Sequence, residues 1–92
     1  MKKINSKCLV VGMKQTLSQI KQGNVKAVFI ARDVEESLAN KIISQCENTE
    51  IQICYAQSMK LLGKACAISR GAACAAILKN EPKGGEISNA ND

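Results

Sequence analysis

Gly12-Met13-Lys14-Gln15-Thr16 is the stretch of this sequence best equipped to meet a ligand. A glycine turn closing an apolar run sets the free backbone N–H groups of a new helix beside its first exposed side chains. Both suit a phosphate or a base edge. Lys14 can donate to guanine O6 and N7, and Gln15 can donate and accept there. Ser18 and Lys21 continue the same polar stripe along the helix. A second stretch runs from Leu62-Gly63-Lys64-Ala65 to Ile68-Ser69-Arg70-Gly71. Lys64 and Arg70 are cations with no acid nearby, and Ile68 would give the loop an apolar tip against which an extruded base could rest while the charges meet phosphates. Taken singly, the first stretch also reads as solvated polar surface and the second as a tight packing turn.

The elements that must position these residues follow from periodicity. Cys8-Leu9-Val10-Val11 reads as a buried strand turning at Gly12. Met13, Leu17 and Ile20 recur at helical spacing, with Gly23 placed to end that helix. Ala27 to Ala31 predicts a second strand. Asp33 is expected to cap the next helix, with Glu36 as the reciprocal capping-box partner, and that helix turns Leu38, Ile42, Ile43 and Cys46 to one side. Ile51 to Tyr55 alternates with strand period. Ser58 can cap a third helix from Met59 to about Ala65, burying Met59, Leu62 and Ala65 or Cys66, and a turn is expected within Ala67 to Arg70. Gly71 marks the expected start of a last strand, which runs through Ala72 to Leu78. The order β-α-β-α-β-α-β predicts one α/β domain over residues 1–79, its sheet covered on both faces. From residue 80 the apolar pattern stops, and Pro82, Gly84, Gly85 and a polar series predict a disordered tail over 80–92.

Composition narrows the ligand. The net charge is +5, and no acid precedes Asp33 or falls between Glu50 and Glu81, so the lysines of the two acid-free segments would form one positive face if they met in space. Phe29 and Tyr55 are the only aromatics. Binders of single strands normally supply aromatic platforms for stacking, so a nucleic acid here is expected to be read as a structured shape. With no histidine, no Walker loop, no G-x-S-x-G elbow and no G-x-G-x-x-G after a strand, an enzyme is not expected. The five cysteines form no C-x-x-C pair and read as reduced core residues, so neither metal nor cofactor is expected. The amino-terminal lysines precede no signal-peptide core, and the apolar runs are too short to cross a bilayer, which makes the cytoplasm the expected compartment.

The two stretches, in this order within a β-α-β-α-β-α-β frame, resemble the kink-turn-binding ribosomal proteins of the L-seven-Ae and L-thirty-e type, above all their small bacterial members. Gly12, Lys14, Gln15 and Thr16 match a strand ending in Gly-x-Lys-Gln-Thr. Met59 to Cys66 matches Met-Lys-x-Leu-Gly-Lys-Ala-Cys, and Gly71, Ala72 and Ala73 match the start of the last strand. The likeness covers about residues 8–78. It implies a three-layer α/β/α sandwich with a four-stranded mixed sheet. It also implies an RNA site, in which the helix after the first strand enters a groove beside tandem sheared G·A pairs and the loop before the last strand meets an extruded nucleotide. The implied partner is structured RNA, a kink-turn of ribosomal RNA or of a riboswitch, rather than DNA or a membrane, and the implied binder is a monomer. The implied surface comprises Gly12, Lys14, Gln15, Ser18, Lys21, Gly63, Lys64, Ile68, Ser69 and Arg70. Four features depart from the pattern. Lys14-Gln15 replaces the Asn-Glu of archaeal and eukaryotic members, Ser18 stands where lysine is common, Ala67 where glycine is usual, and Ser69-Arg70 replaces a Glu-Val type of pair. These predict altered selectivity with a larger share for backbone charge. Ser18 and Ala67 also leave open a ribosome-associated structural or protein-interaction module with only non-specific RNA affinity.

Overall fold

The computed structural model describes residues 8–81. Seven elements follow in the expected order: β1 (Leu9–Val11), α1 (Met13–Lys21), β2 (Val25–Ala31), α2 (Glu36–Cys46), β3 (Gln52–Ala56), α3 (Met59–Ala65) and β4 (Cys74–Leu78). The strands form one mixed sheet in the order β1-β4-β2-β3. β4 runs antiparallel to both β1 and β2, while β2 and β3 are parallel.

Strand alternation sends successive side chains to opposite faces of the sheet. Val10, Val28, Ile30, Cys74, Ala76 and Leu78 face α1 and α2, and together with Ile20, Val25, Ile42 and Cys46 they make the larger core. Ala31 and Ala75 face the other way and pack with Leu62 of α3 and Ala72, flanked by Leu9, Val11, Phe29 and Ile68. This is the expected three-layer sandwich with a four-stranded mixed sheet.

Several expectations are corrected in detail. Asp33 does not cap α2, which starts from Glu35 with no side-chain cap. The Asp33 Oδ1 instead accepts the Met59 N–H at 2.8 Å, across 26 residues, and so serves the first turn of α3. Ser58 caps α3 as expected, its Oγ accepting from the Leu61 N–H at 3.1 Å. The buried side of α3 is Leu62 with Gly63, whereas Met59 and Ala65 are exposed. In α1 the fully buried residue is Thr16, with Gln19 and Ile20 beside it, and Met13 and Leu17 are only half-buried. The last strand begins at Cys74 rather than Gly71, because the chain over 67–73 is committed to contacts with α3 and β2. Residues 82–92, most of the expected tail, lie outside the described residues, as do Lys2, Lys3 and Lys7.

Candidate RNA interface

Gly12 has φ 104° and ψ 160°, a backbone region open essentially to glycine alone. That conformation turns β1 directly into α1. The Gly12 N–H donates to the Cys74 carbonyl at 2.9 Å, and the Gly12 carbonyl accepts the Thr16 N–H at 3.0 Å. No side chain caps the start of α1, so its first turn keeps backbone donors directed outward. Lys14, Ser18 and Lys21 are all exposed along one stripe and Gln15 is half-exposed, as the spacing predicted. Lys21 lies two helical turns from Lys14, about 10 Å along the axis. The Ser18 hydroxyl accepts a long contact from the Gln22 amide at 3.4 Å.

The second stretch is shaped by Gly63. A methyl group there would lie 2.0 Å from the Arg70 carbonyl oxygen, so only glycine lets the returning loop cross α3 this closely. The loop is tied on by the Ile68 N–H to the Gly63 carbonyl and the Ala72 N–H to the Met59 carbonyl, both at 3.0 Å. Ala67 takes a positive φ of 62°, the left-handed conformation that glycine adopts without strain. The loop backbone therefore keeps a glycine-type shape despite the alanine. Lys64, Ser69 and Arg70 are exposed, but Ile68 is half-buried against the smaller core, so less of an apolar tip is presented than the sequence suggested.

Both stretches are brought to one edge of the sheet. Three backbone bonds run along that edge in turn: Gly12 to Cys74, the Ala31 N–H to the Ala73 carbonyl, and the Arg32 N–H to the Ala56 carbonyl, each at 2.9 Å. The carboxyl ends of the parallel strands β2 and β3 lie here, the usual position for a ligand site on an open α/β sheet. The start of α1 and the loop after α3 thus meet, whereas Lys26 and Lys79 of the same acid-free segments lie together beside Glu50 at the opposite edge. The edge that joins α1 to the loop also carries Asp33, Glu35 and Glu36 at the β2–α2 junction. The face is positive on the α1 and α3 side and acidic at one corner.

Beneath this edge Cys74 and Thr16 are buried together, Sγ to Oγ1 at 3.7 Å. Burial pushes the Cys74 thiol up from its ordinary value, and the Thr16 hydroxyl, able to donate to a thiolate, offsets part of that rise. Burial raises Cys46 and Cys66 as well. All five cysteines are free, and Cys46 and Cys74 are buried as expected. Three features escaped sequence reasoning. Thr16 is polar yet fully buried, facing Cys74 of β4. Asn24 accepts the Asn80 N–H at 3.1 Å and donates to Gln19 Oε1 and the Asn80 carbonyl, both at 3.0 Å, which fastens the end of β4 to the end of α1. The Arg32 guanidinium lies over the Tyr55 ring, 5.5 Å from its centroid, a pair 23 residues apart that only the β2–β3 register could reveal. Among the described residues, no cluster of metal-ligating side chains is present and no helix is long and apolar enough to cross a membrane.

A three-layer sandwich with two cationic, glycine-shaped segments on the carboxyl edge of its sheet defines a small α/β RNA-binding domain. The chain belongs to the ribosomal protein L7Ae/L30e/S12e/Gadd45 family, whose model matches residues 1–84. It is 46% identical over 71 residues to an RNA-binding protein of Halalkalibacterium halodurans, covering 77% of this chain and 87% of that one. It is 48% identical over 72 residues to an RNA-binding protein of Caldanaerobacter subterraneus, covering 78% and 88%. Among solved structures it resembles the Giardia lamblia 15.5kD RNA binding protein, with TM-score 0.72 and 26% identity, over 79% of this chain and 62% of that one.

Proposed function

We propose that this protein recognises kink-turn RNA and holds it in its sharply bent form, without catalysing a reaction. The observation that carries the reading is the Gly12 to Cys74 hydrogen bond, which fixes the uncapped start of α1 beside the strand that emerges from the Lys64–Arg70 loop. Lys14 and Gln15 are then the groups that meet base edges, while Lys64, Ser69 and Arg70 meet the backbone and an extruded nucleotide beside Ile68. Ser18 and Lys21 continue the contact along α1, with Lys21 a phosphate contact only. Gly12 and Gly63 set the two backbones. Binding shifts the RNA between extended and bent shapes by the difference in affinity for the two. A cytoplasmic ribonucleoprotein, with ribosomal RNA or a riboswitch as target and the protein as monomer, is the matching setting.

A gel-shift titration tests this directly. A kink-turn should bind more tightly than the same RNA with its G·A pairs replaced, and Lys14→Ala should lower that preference by about tenfold. Lys21→Ala should instead weaken all RNAs alike and flatten the salt dependence. The Ser18 hydroxyl, held by Gln22 where a cation would reach phosphate, favours the second reading of a ribosome-associated module with only non-specific affinity. Equal, steeply salt-dependent binding of both RNAs would establish that reading in place of the first.

A further inference from the structure

A groove of about 370 Å³ opens at the β2–α2 junction, lined by Ile30, Ala31, Arg32, Val34, Glu36, Ala39 and Tyr55. The sheet builds one side of it. Ile30 and Tyr55 are paired in the parallel register, and Arg32, in the turn just past the end of β2, lays its guanidinium over the Tyr55 ring. Tyr55 is 51% exposed, an unusual place for the only aromatic besides the half-buried Phe29. The other side is α2, which contributes Ala39 as apolar wall and Glu36 as a hydrogen-bond acceptor in its first turn. Arg32 N–H bonds Ala56 in the same row of contacts that joins Gly12 to Cys74, so the groove continues the edge assigned above to RNA.

The chemistry of the corner selects what can enter. Asp33, Glu35 and Glu36 repel a phosphate, so a nucleotide arriving here must present its base rather than its backbone. A planar base finds an aromatic and a guanidinium plane to stack against. A carboxylate accepts and cannot donate, which favours a base edge rich in donors. Guanine offers adjacent N1–H and N2–H groups to the two carboxylate oxygens, whereas uracil offers one N–H between two repelling carbonyls. We infer that the Arg32–Tyr55 groove is a second nucleotide subsite, taking one unpaired guanine of the bound RNA, stacked on the Arg32–Tyr55 pair and held at its Watson–Crick edge by Glu36. This inference rests on the RNA-binding reading and extends it to a residue set outside α1 and the α3–β4 loop.

Amide NMR titration of the full chain with guanosine 5′-monophosphate, uridine 5′-monophosphate and inorganic phosphate tests it. The guanine nucleotide should move the Arg32, Val34, Glu36 and Tyr55 amides saturably, and the uridine nucleotide should need about tenfold more to do so. Tyr55→Ala, at an exposed position, should raise the guanine midpoint by about tenfold. Glu36→Gln should narrow the gap between the two bases while stacking persists. Shifts confined to α1 and the loop over 67–70, shifts reproduced by phosphate alone, or equal responses to both bases would overturn the subsite. The titration contains no kink-turn, so a protein that fails to prefer kink-turn RNA can still pass it, and one that prefers that RNA can still fail it.

Discussion

Helices α1 and α3 are built to opposite plans at their beginnings and to one plan at their ends. α1 starts uncapped behind Gly12, while α3 starts with two of its amides satisfied, Met59 by Asp33 and Leu61 by Ser58. Both then close with the same pair of backbone bonds around a left-handed residue. In α1 the Gly23 N–H bonds Ile20 and the Asn24 N–H bonds Gln19; in α3 the Ala67 N–H bonds Lys64 and the Ile68 N–H bonds Gly63. The left-handed residue is Gly23 at φ 71° in one and Ala67 at φ 62° in the other. A helix start left open is available to a ligand, and a capped one is not. α1 therefore offers its beginning to the edge proposed above to bind RNA, and α3 offers the loop that follows its end.

The comparison can be broken most forcefully at Gly63. A methyl group there meets the Arg70 carbonyl at 2.0 Å, a backbone atom that cannot swing aside. Gly63→Ala should cost about 3 kcal/mol or more, read by urea denaturation, as the loop is forced off the helix. Gly23→Ala meets nothing within 4 Å and bears only the left-handed penalty, about 1 kcal/mol. Equal losses from the two substitutions would mean that the loop does not depend on crossing α3 closely.

The two caps of α3 come next in size. Asp33→Ala and Ser58→Ala should each lower stability by about 1 kcal/mol. The Asp33 loss should be recovered by Asn, whose side-chain oxygen can still accept from Met59. Asp33→Ala would also destabilise α2 had the local capping box formed, and helix-resolved hydrogen exchange separates the two. Faster exchange confined to the first turn of α3 is the expected result.

Local chemistry stops being a sufficient guide at Asp33. Asp-x-x-Glu before an apolar run satisfies every local rule for a capping box, but the chain makes an extra turn at Val34 and starts α2 only at Glu36. The carboxylate then finds a donor 26 residues away. Elements defined by local chemistry were readable: Ser58 with its helix, Gly12 and Gly23 as turns, and the alternating strands. Features created by strand order were not. Thr16 is buried because β4 brings Cys74 beneath α1, and Tyr55 meets Arg32 because β3 lies parallel beside β2. Neither relation leaves a periodic trace. The mixed sheet itself came from the family likeness, since alternation alone cannot distinguish β4 antiparallel from β4 parallel. The same limit applies to the candidate site: Lys14, Gln15, Lys64 and Arg70 were visible as exposed cations and donors, but the acidic corner on their edge was not.

The smallest effect is the most discriminating for the comparison. Ala67→Gly removes the strain of a left-handed alanine and adds unfolded-state freedom, so the gain should be modest, about 0.5 kcal/mol or roughly 2–4 °C in Tm. Its value lies in its sign. Gly23→Ala and Ala67→Gly are reciprocal swaps at equivalent positions of the two helix ends, so one should destabilise and the other stabilise. Thermal melts of both variants giving the same sign would show that the two ends are not equivalent. If the signs differ as expected, RNA affinity decides what the alanine contributes beside Ile68, Ser69 and Arg70. A left-handed alanine holds the loop in fewer conformations than glycine would, and a preordered loop binds with less entropy to lose. Ala67→Gly should then melt higher yet bind kink-turn RNA more weakly, whereas tighter binding would mean that the strain opposes recognition.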